Sequence, residues 1–575
     1  MHDLHEPHYE WLRRRWALPE SRIDLVRRLL DAEAEGSTAL DVEPAEIAGD
    51  WGQALTGLAA DAAQPVQPRP LVHFSDGTQT FLQSWRGYAT ERAIAAQLLR
   101  RLAAAPGQTA ATGIDSALAQ LFPGAAPDDR QVLAARTALS QRVVLVTGGP
   151  GTGKTYTLAR ILALLLSLAD GRPPRIGLAA PTGKAADRMR EAIRDSIEQL
   201  PGTFRPHAET IRRAAQGSTT LHSLLSYNPS TGNCARNAAS PLPCDVLILD
   251  EASMIDVYQW RALLDALPDA PHTRLIVLGD PFQLESVGAG DVLYQLVASP
   301  ALAAARVELV KTRRFDGRPH IRELAEALAA HDARRATQLL RSVEDAPPAA
   351  GLSWCRTVTA QNTWQHLPAA IREKIADVAT AATPEAALDA LRRVRILAAH
   401  RDTRLGALGL SESINAYLRK SEPVRAPNEP IIVNVNDPET GLRNGSVGVL
   451  HTDAAGHRAA YFEALREGAP LQRFAIGQLP DYSAAWALTI HRSQGSEFDD
   501  ILVLLPDEDS PLATRELIYT AITRAKQSVY LHGPLATIER AIADQTRRAS
   551  ALGHWLNWRR EGDSNPRYSV TCTPV

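Results

Sequence analysis

Cysteine is scarce in this chain of 575 residues. There are four, Cys234, Cys244, Cys355 and Cys572, and no two of them stand as C-x-x-C. That scatter offers neither a zinc ribbon nor a disulfide framework, and it suits a reducing compartment such as the cytoplasm. Lysine is scarce for a basic residue: Lys154, Lys184, Lys311, Lys374, Lys420 and Lys526 are six among 62 lysines and arginines. Where lysine survives against so strong an arginine bias, a specific chemical need is expected. Long apolar runs are missing as well. The most apolar helix-length stretch is Ile161 to Leu168, too short to span a bilayer. The N-terminus, with His2, Asp3, His5, Glu6 and then Arg13-Arg14-Arg15, lacks the apolar core of a signal peptide. A large charge of one sign is absent too. At a net −3, any surface for nucleic acid must be local rather than a property of the whole chain.

The hydrophobic share of 45% is that of an ordinary globular protein. The length calls for about three or four domains. The most informative stretch is Gly148-Gly149-Pro150-Gly151-Thr152-Gly153-Lys154-Thr155, a full G-x-x-x-x-G-K-[ST] pattern. The apolar run Val143 to Val146 reads as a buried strand before it, and Leu158 to Leu168 reads as a helix after it. Strand, glycine-rich turn and helix are the context that makes this pattern a phosphate site. Glycines let backbone N–H groups approach phosphate oxygens, and the helix N-terminus adds its dipole. Lys154 is expected to reach the β- and γ-phosphates of ATP, and Thr155 to ligate Mg²⁺.

Three regions are predicted. Residues 1–115 read as a mostly helical docking domain. It has one hairpin, Leu71 to Phe74 and Thr80 to Trp85 around the turn Ser75-Asp76-Gly77-Thr78, then a long helix from Glu91 to Leu102. Ala103 to Gly113 reads as a linker. Residues 116–345 alternate strands (Val143–Val146, Ile176–Ala179, Val246–Leu249, Leu275–Leu278) with helices, which implies a parallel sheet with ligands at the strands' carboxyl ends. Pro201 to Ser218 reads as a polar surface excursion. Residues 346–575 form a second α/β region with strands at Ile396–Ala399, Ile501–Leu505 and Val529–Leu531. Within it, about 421–483 has short β-like runs and the turn pair Asn444-Gly445, the pattern of a small inserted β-barrel. The tail Arg560 to Val575 has no periodicity and reads as disordered.

The chemistry follows the strands. Val246–Leu249 leads into Asp250 and Glu251, where Asp250 would hold Mg²⁺ and Glu251 would orient or deprotonate an attacking water. Gln283, in Gly279-Asp280-Pro281-Phe282-Gln283, is placed to contact a γ-phosphate and report its loss. Hydrolysis gains from arginine supplied across a cleft. Arg314 and Arg524 are the candidates.

These blocks occur in a fixed order. Gly148–Thr155 is followed by Ala180-Pro181-Thr182-Gly183-Lys184-Ala185-Ala186, Thr220-Leu221-His222, Asp250–Ser253 and Gly279–Gln283 with Ser286-Val287. Then come Arg314-Phe315, Thr489-Ile490-His491-Arg492-Ser493-Gln494-Gly495-Ser496-Glu497 and Tyr519–Lys526. The series, from about 131 to 526, resembles that of the superfamily 1 DNA helicases. Within them it is most similar to the RecD family, the alpha subunits of exodeoxyribonuclease V (RecBCD).

The resemblance implies two RecA-like P-loop motor domains, an SH3-like character for the insertion, and 5′→3′ ATP-dependent DNA unwinding in recombinational repair of double-strand ends. It implies that Gln131 reads adenine and that Glu497 lies near the ribose. Lys154, Thr155, Asp250, Glu251 and Gln283 match nucleotide and Mg²⁺ residues, and Arg314 and Arg524 match arginines facing the γ-phosphate. Thr182, His222, Thr489 and His491 sit in motifs that face single-stranded DNA. Thr80 to Tyr88 resembles the segment that docks on the gamma subunit, so the implied partners are the beta and gamma subunits (RecB, RecC), with DNA, in a bacterial cytoplasm. Nuclease activity is expected of the complex and not of this chain. The extra N-terminal helix-hairpin-helix region of stand-alone RecD-like helicases is not expected here. The rival readings are such a stand-alone helicase, or a structural subunit with an idle motor.

Overall fold

Two parallel sheets, each buried on both faces, carry the whole architecture. The computed structural model describes residues 6–58, 69–75, 79–104, 113–169, 171–268, 273–312, 314–348, 350–356, 363–421, 427–463, 470–506, 510–544 and 548–557. The predicted hairpin turn at 76–78, most of the linker (105–112) and the tail from 558 lie outside them.

The first motor sheet has six strands in the order Arg306–Glu308, Val143–Thr147, Arg274–Gly279, Val246–Leu249, Ile176–Ala180 and Thr219–Thr220, all parallel. All five residues of Val143–Thr147 are buried. A strand covered by helices on both sides loses the alternation of a half-exposed one and reads as a continuous apolar run. The four strands predicted for this region are all found. The second sheet runs Leu352–Cys355, Ala525–His532, Phe498–Leu504, Val394–Ala398 and Ala487–Thr489, again all parallel. The helix Arg515–Ile522 packs over the strands Phe498–Leu504 and Ala525–His532 and buries seven of its eight residues; Tyr519 and Thr520 reach the first motor region.

The N-terminal region is mostly helical, as expected, and beside its helices it holds a four-stranded sheet, ordered Leu40–Val42, Thr80–Ser84, Leu71–Ser75, Leu55–Leu58. The predicted hairpin is there, with Phe74 opposite Phe81. The strands Leu40–Val42 and Leu55–Leu58 went unseen because three or four residues are too few to display a period of two. Pro201 to Ser218 is not an excursion. It forms the 3₁₀ turn Gly202–His207 and the helix Ala208–Gln216, which bury Phe204, Ile211 and Ala215 against the neighbouring helices. Three apolar residues seven and four apart make one narrow stripe, easily read as polar surface.

The insertion is an antiparallel sheet of five strands, Gln472–Phe474, Arg458–Phe462, Val447–Thr452, Glu429–Val433 and Tyr482–Ala484 in spatial order. Among the described residues its two end strands, each of three residues, do not pair with one another. Closure into a barrel is therefore not seen.

The segment 548–557, which follows the second sheet in sequence, does not pack on it. Ala551, Leu552, Trp555 and Leu556 are buried in one core with Phe74 and Tyr88 of the N-terminal region and Val257, Trp260 and Leu296 of the first motor region. The Trp555 ring lies 4.4 Å from Phe74 and 5.5 Å from Tyr88. Among the described residues no helix is long and apolar enough to cross a membrane.

Candidate nucleotide site and DNA-side motifs

The turn after Val143–Thr147 is built on glycines that nothing larger could replace. Gly151 and Gly153 have φ of +76° and +86°, a region that glycine enters freely and other residues do not. A Cβ on Gly151 would stand 2.4 Å from Cβ of Arg314, and one on Gly153 would stand 2.7 Å from Nε2 of Gln131. The loop is thus flanked by two of the predicted site residues. Gln131 Nε2 donates to the Thr152 carbonyl at 3.4 Å, and Thr312 donates to the Pro150 carbonyl at 2.9 Å. Lys154 and Thr155 open the helix Lys154–Ser167. The Lys154 ammonium folds back to donate to the carbonyls of Gly148 (2.5 Å) and Gly149 (3.2 Å).

The acids stand at the ends of the two neighbouring strands. Glu251 has φ +51° and ψ +43°, a left-handed conformation costing a non-glycine residue about 1–2 kcal/mol. Its N–H donates to Asp250 Oδ1 at 2.8 Å. Burial pushes the Asp250 carboxyl up to about 6, the Glu251 charge adds to that, and Lys154 and Arg188 oppose it. Among the described residues no lysine or arginine pairs with Asp250. A buried carboxylate at a strand end, with no cationic side chain paired to it, is a donor that suits a hard divalent cation.

Asp280 is fully buried, and burial raises its carboxyl while Lys154 draws it down. The Tyr519 hydroxyl (3.1 Å) and Gln283 Nε2 (3.2 Å) both donate to its Oδ2. Gln283 in turn accepts from Arg524 Nη2 at 2.9 Å. Arg524 is 2% exposed. Burial lowers its pKa while Glu251, Asp280 and Tyr519 oppose. The Leu284 N–H donates to Thr520 Oγ1 at 2.8 Å. Side chains from the second sheet's helix therefore reach the strand end of the first.

Glu497 collects cations from both sides of the cleft. Its Oε1 pairs with Arg314 and with Arg188, and its Oε2 lies 3.8 Å from Lys526. Arg314 also donates to the Thr523 carbonyl at 2.9 Å. Ser496 Oγ, Gln494 Nε2 and Ser253 Oγ are buried with no hydrogen-bond partner. Polar atoms left orphaned around an excess of positive charge mark the cleft as built for a polar anion. Every nucleotide-side residue named from the sequence lies in this neighbourhood. Arg188, Asp280, Tyr519 and Thr520 were not assigned roles. Arg188 carried a signal: it lies four residues after Lys184 on the helix Gly183–Glu198, hence on the same face.

The motifs predicted to face DNA divide differently. Thr182 and Thr489 are N-caps, accepting from Ala185 N (3.2 Å) and Arg492 N (3.3 Å), and each positions the helix that follows it. The two motifs meet: a Cβ on Gly495 would lie 3.5 Å from Ala185 Cα, and one on Gly183 would lie 3.2 Å from Arg443 of the inserted sheet. His222 follows the strand Thr219–Thr220, which pairs with Ile176–Ala180, the strand leading to Thr182. It is exposed and meets the Tyr227 ring edge-on at 5.0 Å. His491 is half-buried, and burial and the charge of Arg548 lower its pKa.

Two parallel sheets with a phosphate loop and paired acids on one, and arginine from the other, define an ATP-binding motor of the P-loop helicase class. Residues 131–289 match the family described as AAA domain, and 484–532 match the UvrD-like helicase C-terminal domain. The RecBCD enzyme subunit RecD of Mycobacterium tuberculosis is 37% identical over 544 residues, covering 90% of this chain and 88% of that protein. The ATP-dependent RecD2 DNA helicase of Deinococcus radiodurans is 28% identical over 460 residues, covering 78% of this chain and 55% of that protein. Among solved structures, Bacteroides Pif1 bound to ssDNA aligns at 17% identity and a TM-score of 0.38, covering 72% of this chain and 94% of that one. This chain belongs to the RecD family.

Proposed function

We propose that the chain is an ATP-driven DNA motor that moves 5′→3′ and separates strands, working beside the beta and gamma subunits of an exodeoxyribonuclease V on double-strand DNA ends. The observation that carries this reading is the Arg524–Gln283 bond, 2.9 Å long between the two motor regions. An arginine that reaches the other half of the cleft makes turnover conditional on how the halves sit, and that is what a motor needs. In this reading 116–345 and 346–575 are the motor halves, save that the segment 548–557 is docked on the N-terminal and first motor regions; 421–483 is inserted, and 1–115 docks on partners.

The roles follow from chemistry. The loop Gly148–Gly153 takes the phosphates on backbone N–H groups, and Lys154 leaves its loop carbonyls for the β- and γ-oxygens. Gln131 meets the adenine edge and Glu497 the ribose. Thr155 and Asp250 suit Mg²⁺, which when bound neutralises charge on the β- and γ-phosphates. Glu251 accepts the proton of the attacking water. Gln283 contacts the γ-phosphate, and Arg314 and Arg524 stabilise charge as the bond breaks. Thr182, His222, Thr489 and His491 line the path of single-stranded DNA. There, phosphate contacts and base stacking give a sequence-tolerant, salt-dependent grip.

The test is strand separation by the purified chain, with ATP and Mg²⁺, on duplexes bearing either a 5′ or a 3′ tail. Unwinding of the 5′-tailed duplex alone is expected. Unwinding of the 3′-tailed one alone overturns the polarity, and no unwinding with or without the partner subunits overturns the motor.

A further inference from the structure

The turn that follows Gln283 is held at both ends by different parts of the chain. At its start, Gln283 and Leu284 are bonded to Arg524 and Thr520 of the second motor region. Two residues on, Arg548 takes over. Its Nη1 donates to the carbonyls of Ser286 (2.7 Å) and Gly288 (2.6 Å), and its Nε pairs with Glu285 at 3.0 Å. The residue between the two carbonyls, Val287, is thereby turned outward and is 87% exposed. The Ser286 hydroxyl closes the turn, donating to the carbonyls of Gly288 and Gly290.

Arg548 is itself anchored far from the second sheet. A Cβ on Gly36 would lie 2.5 Å from its Cζ, so the guanidinium is seated against the N-terminal region. The next residues are tied there. Thr38 and Ala39 N–H groups donate to the Ala549 carbonyl at 2.9 and 3.1 Å. Ser550 Oγ and Ala551 N donate to the buried Glu91 carboxylate at 2.6 and 3.2 Å, which also accepts from Gln83 Nε2 at 2.8 Å. Trp555 and Leu556 then enter the core shared by the N-terminal region and the first motor sheet.

We infer that Arg548 is a positioning residue of the motor: it fixes the 285–288 turn to the N-terminal region so that movement at Gln283 is delivered to the DNA side. Gln283 and Leu284 travel with the second motor half, while Ser286 and Gly288 stay with the first. The strain of each cycle then falls on the short segment between them, beside exposed Val287, while the Arg548 charge lowers the pKa of His491. Without Arg548 the turn is held only beyond Gly288, where Val257 N–H donates to the Ala289 carbonyl at 2.9 Å and Gly290 N–H to the Gly36 carbonyl at 2.7 Å; the 285–288 stretch then yields to Gln283, and hydrolysis is transmitted less well. The inference rests on the proposed role of Gln283.

The test compares Arg548→Ala and Arg548→Lys with the unaltered full chain. It measures ATP turnover without DNA, turnover at saturating oligo-dT, and the oligo-dT concentration giving half-maximal stimulation. The unaltered chain must first show stimulation by oligo-dT, alone or with the partner subunits; if it shows none either way, the motor reading itself has failed. Given stimulation, Arg548→Ala is expected to keep its basal turnover within about twofold, to lose roughly tenfold in stimulation, and to need more oligo-dT. A compact ammonium lacks the planar fork that sets Nη1 on two carbonyls and Nε on Glu285 at once, so Arg548→Lys, which keeps the charge, should fall between the two. An unchanged stimulation ratio in both variants overturns the inference. So does a parallel fall of basal and stimulated turnover, the mark of a merely structural residue. Should Arg548→Ala not fold, Arg548→Lys decides alone, and stimulation equal to that of the unaltered chain overturns the inference.

Discussion

The two parallel sheets share an architecture and differ in what stands at their strand ends. In the first, the strand Val143–Thr147 opens into a glycine loop, its neighbour Arg274–Gly279 ends in Asp280, and the next strand, Val246–Leu249, ends in Asp250 and Glu251. In the second there is no such loop among the described residues. Its contribution is Arg524, Glu497 and Lys526, next to the strands Phe498–Leu504 and Ala525–His532. One half carries the phosphate loop and the acids, and the other brings cations to them. Damage to Arg524 of the second half should then spare binding and remove turnover, while damage to the phosphate loop of the first should touch both.

Arg524→Ala tests the division most severely. It should lower DNA-stimulated ATP turnover by about 10³–10⁵-fold, the range for arginines supplied across a phosphoryl-transfer cleft, while a fluorescent ATP analogue binds nearly as before. Loss of analogue binding in step with turnover would erase the distinction between the halves. Next in size is Glu251→Gln on the first half. Removing a general base costs about 10²–10⁴-fold, and here ATP and DNA should both remain bound in a stalled complex. Normal turnover would take the water-activating role from Glu251 and leave its left-handed backbone without a function. Glu497→Gln sharpens the comparison at the seam. It leaves Arg188, Arg314 and Lys526 without their shared carboxylate, so the nucleotide-free chain should melt about 2–4 °C lower. An ATP analogue, supplying negative charge to the same cations, should restore most of the loss. A melting temperature unmoved by the substitution would mean that the three cations are solvated well enough to need no partner.

The same contrast explains what could be read in advance. The first half was legible because its strands are continuous apolar runs and its chemistry is local: loop, acids and glutamine each follow a strand directly. Gln131 was legible only through family likeness, since nothing near it in sequence indicates that it would lie against Gly153. Arg314 and Arg524 were single arginines in an arginine-rich chain, and their meaning appears only when the second sheet brings Thr523 and Gln283 to them. Asp280 and Tyr519 were quoted within motifs without a role, because their bond joins residues 239 positions apart. Arg548 had no signal at all. It belongs to no motif, and the segment after it looks like the end of the second domain until it is seen packed against Phe74 and Tyr88. Short strands such as Leu40–Val42 stayed hidden for a simpler reason, being too brief to show a pattern.

Lys184 gives the smallest effect and the most discriminating one, because it feels charges from both halves. Burial pushes its ammonium down to about 8; Arg395 of the second sheet and Arg188 of its own helix add to the shift, and Glu463 of the insertion opposes it. Arg443 lies close by, 3.2 Å from where a Cβ on Gly183 would be. A lysine whose folded-state pKa lies below its ordinary value of 10.5 costs the folded chain stability while charged. The cost is full below about pH 8 and is relieved as pH rises from there towards 10.5. Lys184→Met should therefore melt slightly higher than the unaltered chain at pH 7. Bound DNA phosphates favour the charged form, so single-stranded DNA should bind with uptake of a proton near pH 8. Affinity should then fall by about 3–10-fold between pH 7 and pH 9, in line with an ion pair worth roughly 1 kcal/mol. In Lys184→Met the affinity should start lower and show little of that slope. Were the variant to bind DNA with the same pH dependence as the unaltered chain, Lys184 would be a cost carried for some other purpose.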